Sequence, residues 1–115
     1  MATVALKSNH VQHSVLQSLW TMGSGDTGVP DQLSRYPNHS VQMTGTFGGA
    51  TVVLQGSDDG ITWFTLHDVS GADISRTSNG RFDTIAIVPQ HIRPSSTSGS
   101  GVSVKVIITS RSFGR

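Results

Sequence analysis

An all-β fold of antiparallel strands is what this sequence predicts, and three observations predict it. Apolar and polar residues alternate with a period of two in several segments rich in Val, Ile and Thr. Turn signals built on Gly, Asn and Asp recur about every ten residues. Hydroxyl side chains stand where charges are usual: 17 Ser and 12 Thr accompany a charged share of only 13%. Ser suits turns and Thr suits strands. About seven or eight short strands follow, arranged as a sandwich, a jelly roll or a small barrel.

The elements follow in chain order. Residues 13–20 set Val15 and Leu19 on one side and Leu16 and Trp20 on the other. Val11, Val15 and Leu19 also fit a helical stripe, so a helix is the alternative there. Residues 41–47 alternate, Gly48-Gly49 marks a hairpin turn, and residues 50–55 form the returning strand. The turn Ser57-Asp58-Asp59-Gly60 precedes a short aromatic strand at 63–66. A weak strand at 72–76 and a turn at Asn79-Gly80 lead to alternation over 82–88, which Pro89 stops. The last strand, 102–109, points Val102, Val104, Val106 and Ile108 one way. It carries one charge, Lys105, which would limit uncontrolled pairing if the strand lay at a sheet edge. Two segments break the rhythm. Residues 21–39 read as a long polar loop, and residues 94–101 as a flexible connector.

A chain of 115 residues fits one domain, here residues 1–115, with an extended N-terminal arm and the long loop 21–39. The formal net charge of +1 argues against a nucleic-acid partner held through phosphates and against a polybasic membrane anchor. Without Cys there is neither a disulfide framework nor a thiolate metal site, which leans toward folding inside a cell. The first residues do not read as a signal peptide, and no apolar run approaches the length of a membrane span. A sparsely charged, hydroxyl-rich surface suits either an ordinary β-protein or one meant to be covered by neighbours.

Each chemical motif has a plainer explanation. Asp26-Thr27-Gly28 spells the aspartic protease triplet, but the apolar frame that such an Asp needs is missing, and a loop turn accounts for it. His10 and His13 fall on opposite faces of a strand, while His39, His67 and His91 stand apart. Asp58-Asp59-Gly60 is far short of a calcium loop. No Gly-x-Ser-x-Gly elbow occurs. The expectation is therefore a protein that is not an enzyme and needs no metal or cofactor. Partner contacts fall instead to Trp20, Met22, Arg35 and Tyr36, around and within the long loop, and to Arg93. Local packing of those side chains on their own sandwich explains them equally well. Trp63 is expected to face the core.

One stretch carries a resemblance. Thr44-Gly45-Thr46-Phe47-Gly48-Gly49-Ala50 leads to Leu54-Gln55-Gly56-Ser57-Asp58-Asp59-Gly60-Ile61-Thr62-Trp63, then to Leu66-His67-Asp68 and His91-Ile92-Arg93-Pro94. About half the chain thereby resembles small structural proteins of tailed bacteriophages, some of them jelly-roll decoration (cement) proteins that clamp neighbouring capsid subunits. The resemblance implies a jelly-roll-like sandwich on the exterior of a virion, assembled in the host cytoplasm. It implies the major capsid protein as partner, self-association, and no nucleic acid or membrane. Residues 10–20 and the loop 21–39 would be the reaching parts, and deletion of residues 23–31 would then spare the fold. The rival expectations are a glycan- or receptor-binding module using Trp63 or Tyr36, or a tail or connector component.

Overall fold

The computed structural model describes residues 3–12, 15–32, 38–68, 70–82 and 89–111. These form eleven strands and no helix: β1 (Thr3–Val4), β2 (Lys7–Gln12), β3 (Val15–Met22), β4 (Thr27–Gly28), β5 (Asn38–Thr46), β6 (Val52–Ser57), β7 (Phe64–Thr65), β8 (Ser75–Arg76), β9 (Gly80–Phe82), β10 (His91–Ser96) and β11 (Ser103–Arg111). Two sheets result. Sheet I runs β1-β4-β10-β6-β7, with β8 also on β6; sheet II runs β2-β3-β11-β5-β9. All pairings are antiparallel except β1 with β4. The predicted antiparallel sandwich is thus the observed architecture.

Period-two alternation builds the core. On β11, Val104, Val106 and Ile108 are buried; on β3, Leu16, Trp20 and Met22; on β5, Val41 and Met43. Sheet I closes over them with Val52, Leu54 and Ile92, and Phe47 and Ile74 fill the ends. Because side chains alternate, the same strands turn Leu19, Ile107, Gln42 and Lys105 outward. β11 is central rather than at an edge, paired with β3 on one side and β5 on the other. Lys105 therefore guards no edge, and the condition under which it would limit pairing is not met.

The strand expected over residues 13–20 is borne out over 15–22, where Ser18 and Met22 join the inward row and β11 pairs along the whole segment, and the helical alternative falls. Three expectations are corrected. Residues 10–20 are no free arm: β2 and β3 pair within sheet II, and Trp20 is core. Gly48-Gly49 is a corner rather than a hairpin, since β5 belongs to sheet II and β6 to sheet I. Positive φ at both glycines (56° and 85°) turns the chain, and buried Phe47 and Ala50 anchor the corner at its two ends. Finally, the connector 94–101 is tied along its length. Pro94 and Ser96 lie in β10, Thr97 donates to Thr51 O at 3.0 Å, and Ser100 donates to Gly48 O at 2.9 Å.

Most of the long loop is structured as well. β3 extends through Met22, β4 follows, and Asp31 bridges to Ile92 of β10. The Trp20 indole Nε1 donates to Val29 O at 2.9 Å, and Val29 N to Val4 O at 2.8 Å. Deleting residues 23–31 would remove β4 from sheet I, so that deletion does not spare the fold. Residues 83–88 of the predicted 82–88 strand lie outside the described residues.

Candidate interaction surface

The most developed surface constellation lies where β10 and β6 meet the turn that leads into β7. Arg93 alternates outward on β10 between buried Ile92 and Pro94. Its register partner on β6 is Gln55, and Arg93 Nε donates to Gln55 Oε1 at 3.0 Å. The guanidinium lies over the Trp63 ring, 4.0 Å from its centroid. Such stacking uses the flat cation against the electron-rich ring face. Partial burial pulls the Arg93 pKa below its ordinary range. Trp63 is half-buried under this cation rather than in the core, while Phe64 and Ile61 beside it are 67% and 81% exposed. Large apolar side chains at such exposure mark contact surfaces when they occur together.

The turn that presents them is rigid. Asp59 Oδ1 accepts from Ile61 N at 2.8 Å, Thr62 N at 2.9 Å and Ser57 Oγ at 2.9 Å. Those donors, the Thr62 and Ile61 amides foremost, lower the Asp59 pKa from 3.8 to about 2. Gly60 supplies the positive φ of 76°. Asp68 does the same in the next turn, where the Ser70 hydroxyl chiefly lowers its pKa. A His67–Asp73 contact of 2.9 Å closes that turn.

A second constellation is internal. At one end of the sandwich Ser18, His39 and Ser110 are buried, and Ser18 Oγ donates to Asp31 Oδ2 at 2.7 Å. His39 faces Ser110 across the β5–β11 ladder. Among the described residues no three His, Asp or Glu side chains are grouped so as to hold a metal ion. Asp26 of the protease-like triplet accepts from Gly23 N at 2.8 Å and caps its own turn, as a loop carboxylate does.

The sequence-predicted contacts divide three ways. Trp20 and Met22 are fully buried between the sheets, so in the free chain they are core and not surface anchors. Arg35 and Tyr36 lie outside the described residues. Arg93 stands on the outer face, joined to Trp63. Sequence reasoning missed Ile61 and Phe64. The available signal was, for Ile61, its place in a tight Asp-Gly turn, which cannot lie in a core, and, for Phe64, its alternation with Trp63 along a strand.

No protein family matches the sequence, and no curated protein is similar to it in sequence. Solved structures do share the fold. The SPBc2 prophage-derived protein YomS matches with a TM-score of 0.63 and 13% identity, over 89% of this chain and 98% of that one. A cupin domain from Bordetella pertussis Tohama I matches with a TM-score of 0.51 and 11% identity, over 96% and 93%. A recombinant oxalate oxidase in complex with glycolate matches with a TM-score of 0.53 and 14% identity; there the match covers 96% of this chain but 52% of the other. Identities this low establish the fold, a jelly-roll-like β-sandwich, and nothing finer. They also overturn one expectation. The absence of a visible catalytic motif points to a protein with no enzymatic role. An oxidase built on the same sandwich shows that the fold carries catalysis, so the exclusion does not stand.

Proposed function

We propose that this chain is a structural protein of a bacteriophage particle, working as a decoration protein on the capsid exterior with the major capsid protein as its partner. The observation that carries the reading is the likeness to a prophage-derived protein, which runs through nearly the whole of both chains. The turn chemistry around Gly56–Trp63 and His91–Pro94 supports it from the sequence side. So does the surface: an Arg93–Trp63 stack on the outer face has the aromatic and Arg content of a contact patch. In this reading Arg93 and Trp63 meet the capsid subunit, together with Arg35 and Tyr36. Many weak copies around one shell hold through avidity.

Co-sedimentation of the purified chain with empty shells from the same source genome tests it. Saturable pelleting at a fixed ratio to the major capsid subunit, weakened by Arg93→Ala, is the expected result. No pelleting of the folded chain overturns it. A saturable hit on a glycan array, lost in Trp63→Ala, would replace it with a glycan-binding module.

A further inference from the structure

The near-neutral net charge conceals a division between two surfaces. The strands of sheet II carry Lys7, Arg81, Lys105 and Arg111, and none of them contains Asp or Glu. On the outward face these surround an apolar centre. One cross-strand row runs Lys7–Leu19–Ile107–Gln42–Arg81; Lys105 lies two positions before Ile107 on β11, and Arg111 four positions after it. Leu19 and Ile107 are half-buried within that face, and Lys105 is exposed. A groove of about 270 Å³ runs along it, lined by Gln17, Ser40, Gln42, Ile107, Thr109 and Arg111 among others. The opposite composition occurs in the segment from Ser57 to Asp73. It holds Asp58, Asp59, Asp68 and Asp73 and no Lys or Arg of its own, and with the Arg93 guanidinium stacked on its Trp63 it presents a net three negative charges against four positive ones. It also holds Ile61 and Phe64, the two most exposed large apolar side chains among the described residues.

Each surface thus has an apolar centre and a charged rim, and the rims are opposite in sign. That is the anatomy of a protein–protein contact: an apolar centre supplies affinity, and rim charges supply orientation and encounter rate. The match is between two different surfaces of one chain, which cannot meet within a single copy because they belong to separate regions of the sandwich. The size suits a weak, reversible contact. Five strands at about 4.8 Å spacing and a nine-residue central strand bound the face at roughly 19 by 30 Å. That outline of about 570 Å² is below the roughly 800 Å² per partner of a standard interface and in the range of transient ones.

We infer that the occupant of the outward face of sheet II is the 57–73 lobe of a second copy of this chain. Such a contact is heterologous, head to tail, and propagates into rings or open chains instead of stopping at a two-fold dimer. It does not depend on the particle assignment, since it is a property of the isolated chain.

Sedimentation velocity on the purified chain tests it. The expected result is concentration-dependent growth beyond a dimer. Raising salt from about 0.1 M to about 1 M cuts the screening length from about 10 Å to about 3 Å and should weaken association at least about tenfold. Two double variants separate the surfaces, each checked for folding by circular dichroism. Lys105→Glu with Arg111→Glu blocks the face, and Asp58→Lys with Asp73→Lys blocks the lobe. Each alone should stay monomeric, and their 1:1 mixture should form a heterodimer that grows no further. A wild-type chain that stays monomeric overturns the inference, as does a mixture that stays monomeric. If either double variant fails to fold, Phe64→Ser takes its place; unaltered self-association of Phe64→Ser also overturns it.

Discussion

Replacing Trp20 by Phe separates a core role from a contact role. In the free chain Trp20 is fully buried, and its indole N–H donates to Val29 O at 2.9 Å. Phe keeps part of the ring but loses the donor. The lost hydrogen bond costs about 1 kcal/mol, more where the carbonyl stays dry. Complete removal of a buried Trp costs about 3–5 kcal/mol, so a partial truncation should cost about 1–2 kcal/mol in lost packing. Together about 2–3 kcal/mol is expected, a large part of a stability of roughly 6–17 kcal/mol for a domain of this length. At about 4 °C per kcal/mol, the melting point should fall about 8–12 °C. Urea titration followed by far-ultraviolet circular dichroism measures this directly, with an unchanged dependence on denaturant. Shell attachment per folded molecule should not change. A loss of stability below about 0.5 kcal/mol together with weakened attachment would refute the reasoning. Trp20 would then leave the core to anchor a partner.

Four smaller perturbations probe other parts of the argument. Ser18→Ala deprives the Asp31 carboxylate of its 2.7 Å donor and should cost about 1–3 kcal/mol, whereas Ser110→Ala removes a buried hydroxyl with no hydrogen-bond partner among the described residues and should be neutral or stabilising by the same urea titration. Both corner glycines have positive φ, but a Cβ at Gly48 would collide with the Ser100 carbonyl while one at Gly49 meets open space. Thus Gly49→Ala should cost about 1–2 kcal/mol and Gly48→Ala clearly more, compared by thermal melts. The folded Asp59 carboxylate stays ionised down to about 2, while the unfolded chain takes up that proton near 3.8. Its contribution is complete above the higher value and is lost as pH falls through the lower, so the stability gap between wild type and Asp59→Asn should shrink between pH 4 and pH 2. Arg93→Ala uncovers the Trp63 ring; its emission, isolated in a Trp20→Phe background, should shift to the red for a stability cost of about 0.5–1 kcal/mol.

The fold was legible wherever alternation was long. Residues 102–109 and 41–47 gave their inward rows correctly, because a slip of one residue would expose a whole apolar set. What a period cannot reveal is which strand pairs with which. Gly48-Gly49 carries the same chemistry whether it closes a hairpin or turns a corner between sheets; the difference lies in long-range pairing of β5 with β11 and of β6 with β10. The polar segments 21–39 and 94–101 looked loose because few apolar residues mark them. The order of residues 21–32 and 94–101 comes in part from hydrogen bonds between distant hydroxyls and amides. Ser96 Oγ, for instance, donates to Gly23 O at 2.6 Å and accepts from Asp26 N at 3.0 Å. In the candidate surface, Arg93 was legible as an outward residue before a proline. Its stacking on Trp63 was not, since 30 residues separate the two in sequence.

Composition misled for a related reason. A net charge of +1 is a sum, whereas recognition responds to arrangement. Of the six described aspartates, Asp26, Asp31, Asp59 and Asp68 already serve the fold as acceptors for nearby amides and hydroxyls. Their negative charge remains even where their hydrogen-bonding capacity is spent. All six lie in sheet I or its connections, because tight turns with Asx caps join its short strands. The long strands of sheet II need no such caps and retain only cations. The turn chemistry that folds sheet I is therefore also what polarises the molecule, and a surface able to meet its own opposite arises from local folding requirements without any dedicated binding motif. That is why motif reading found no site in this chain, while the faces of the sandwich supply one.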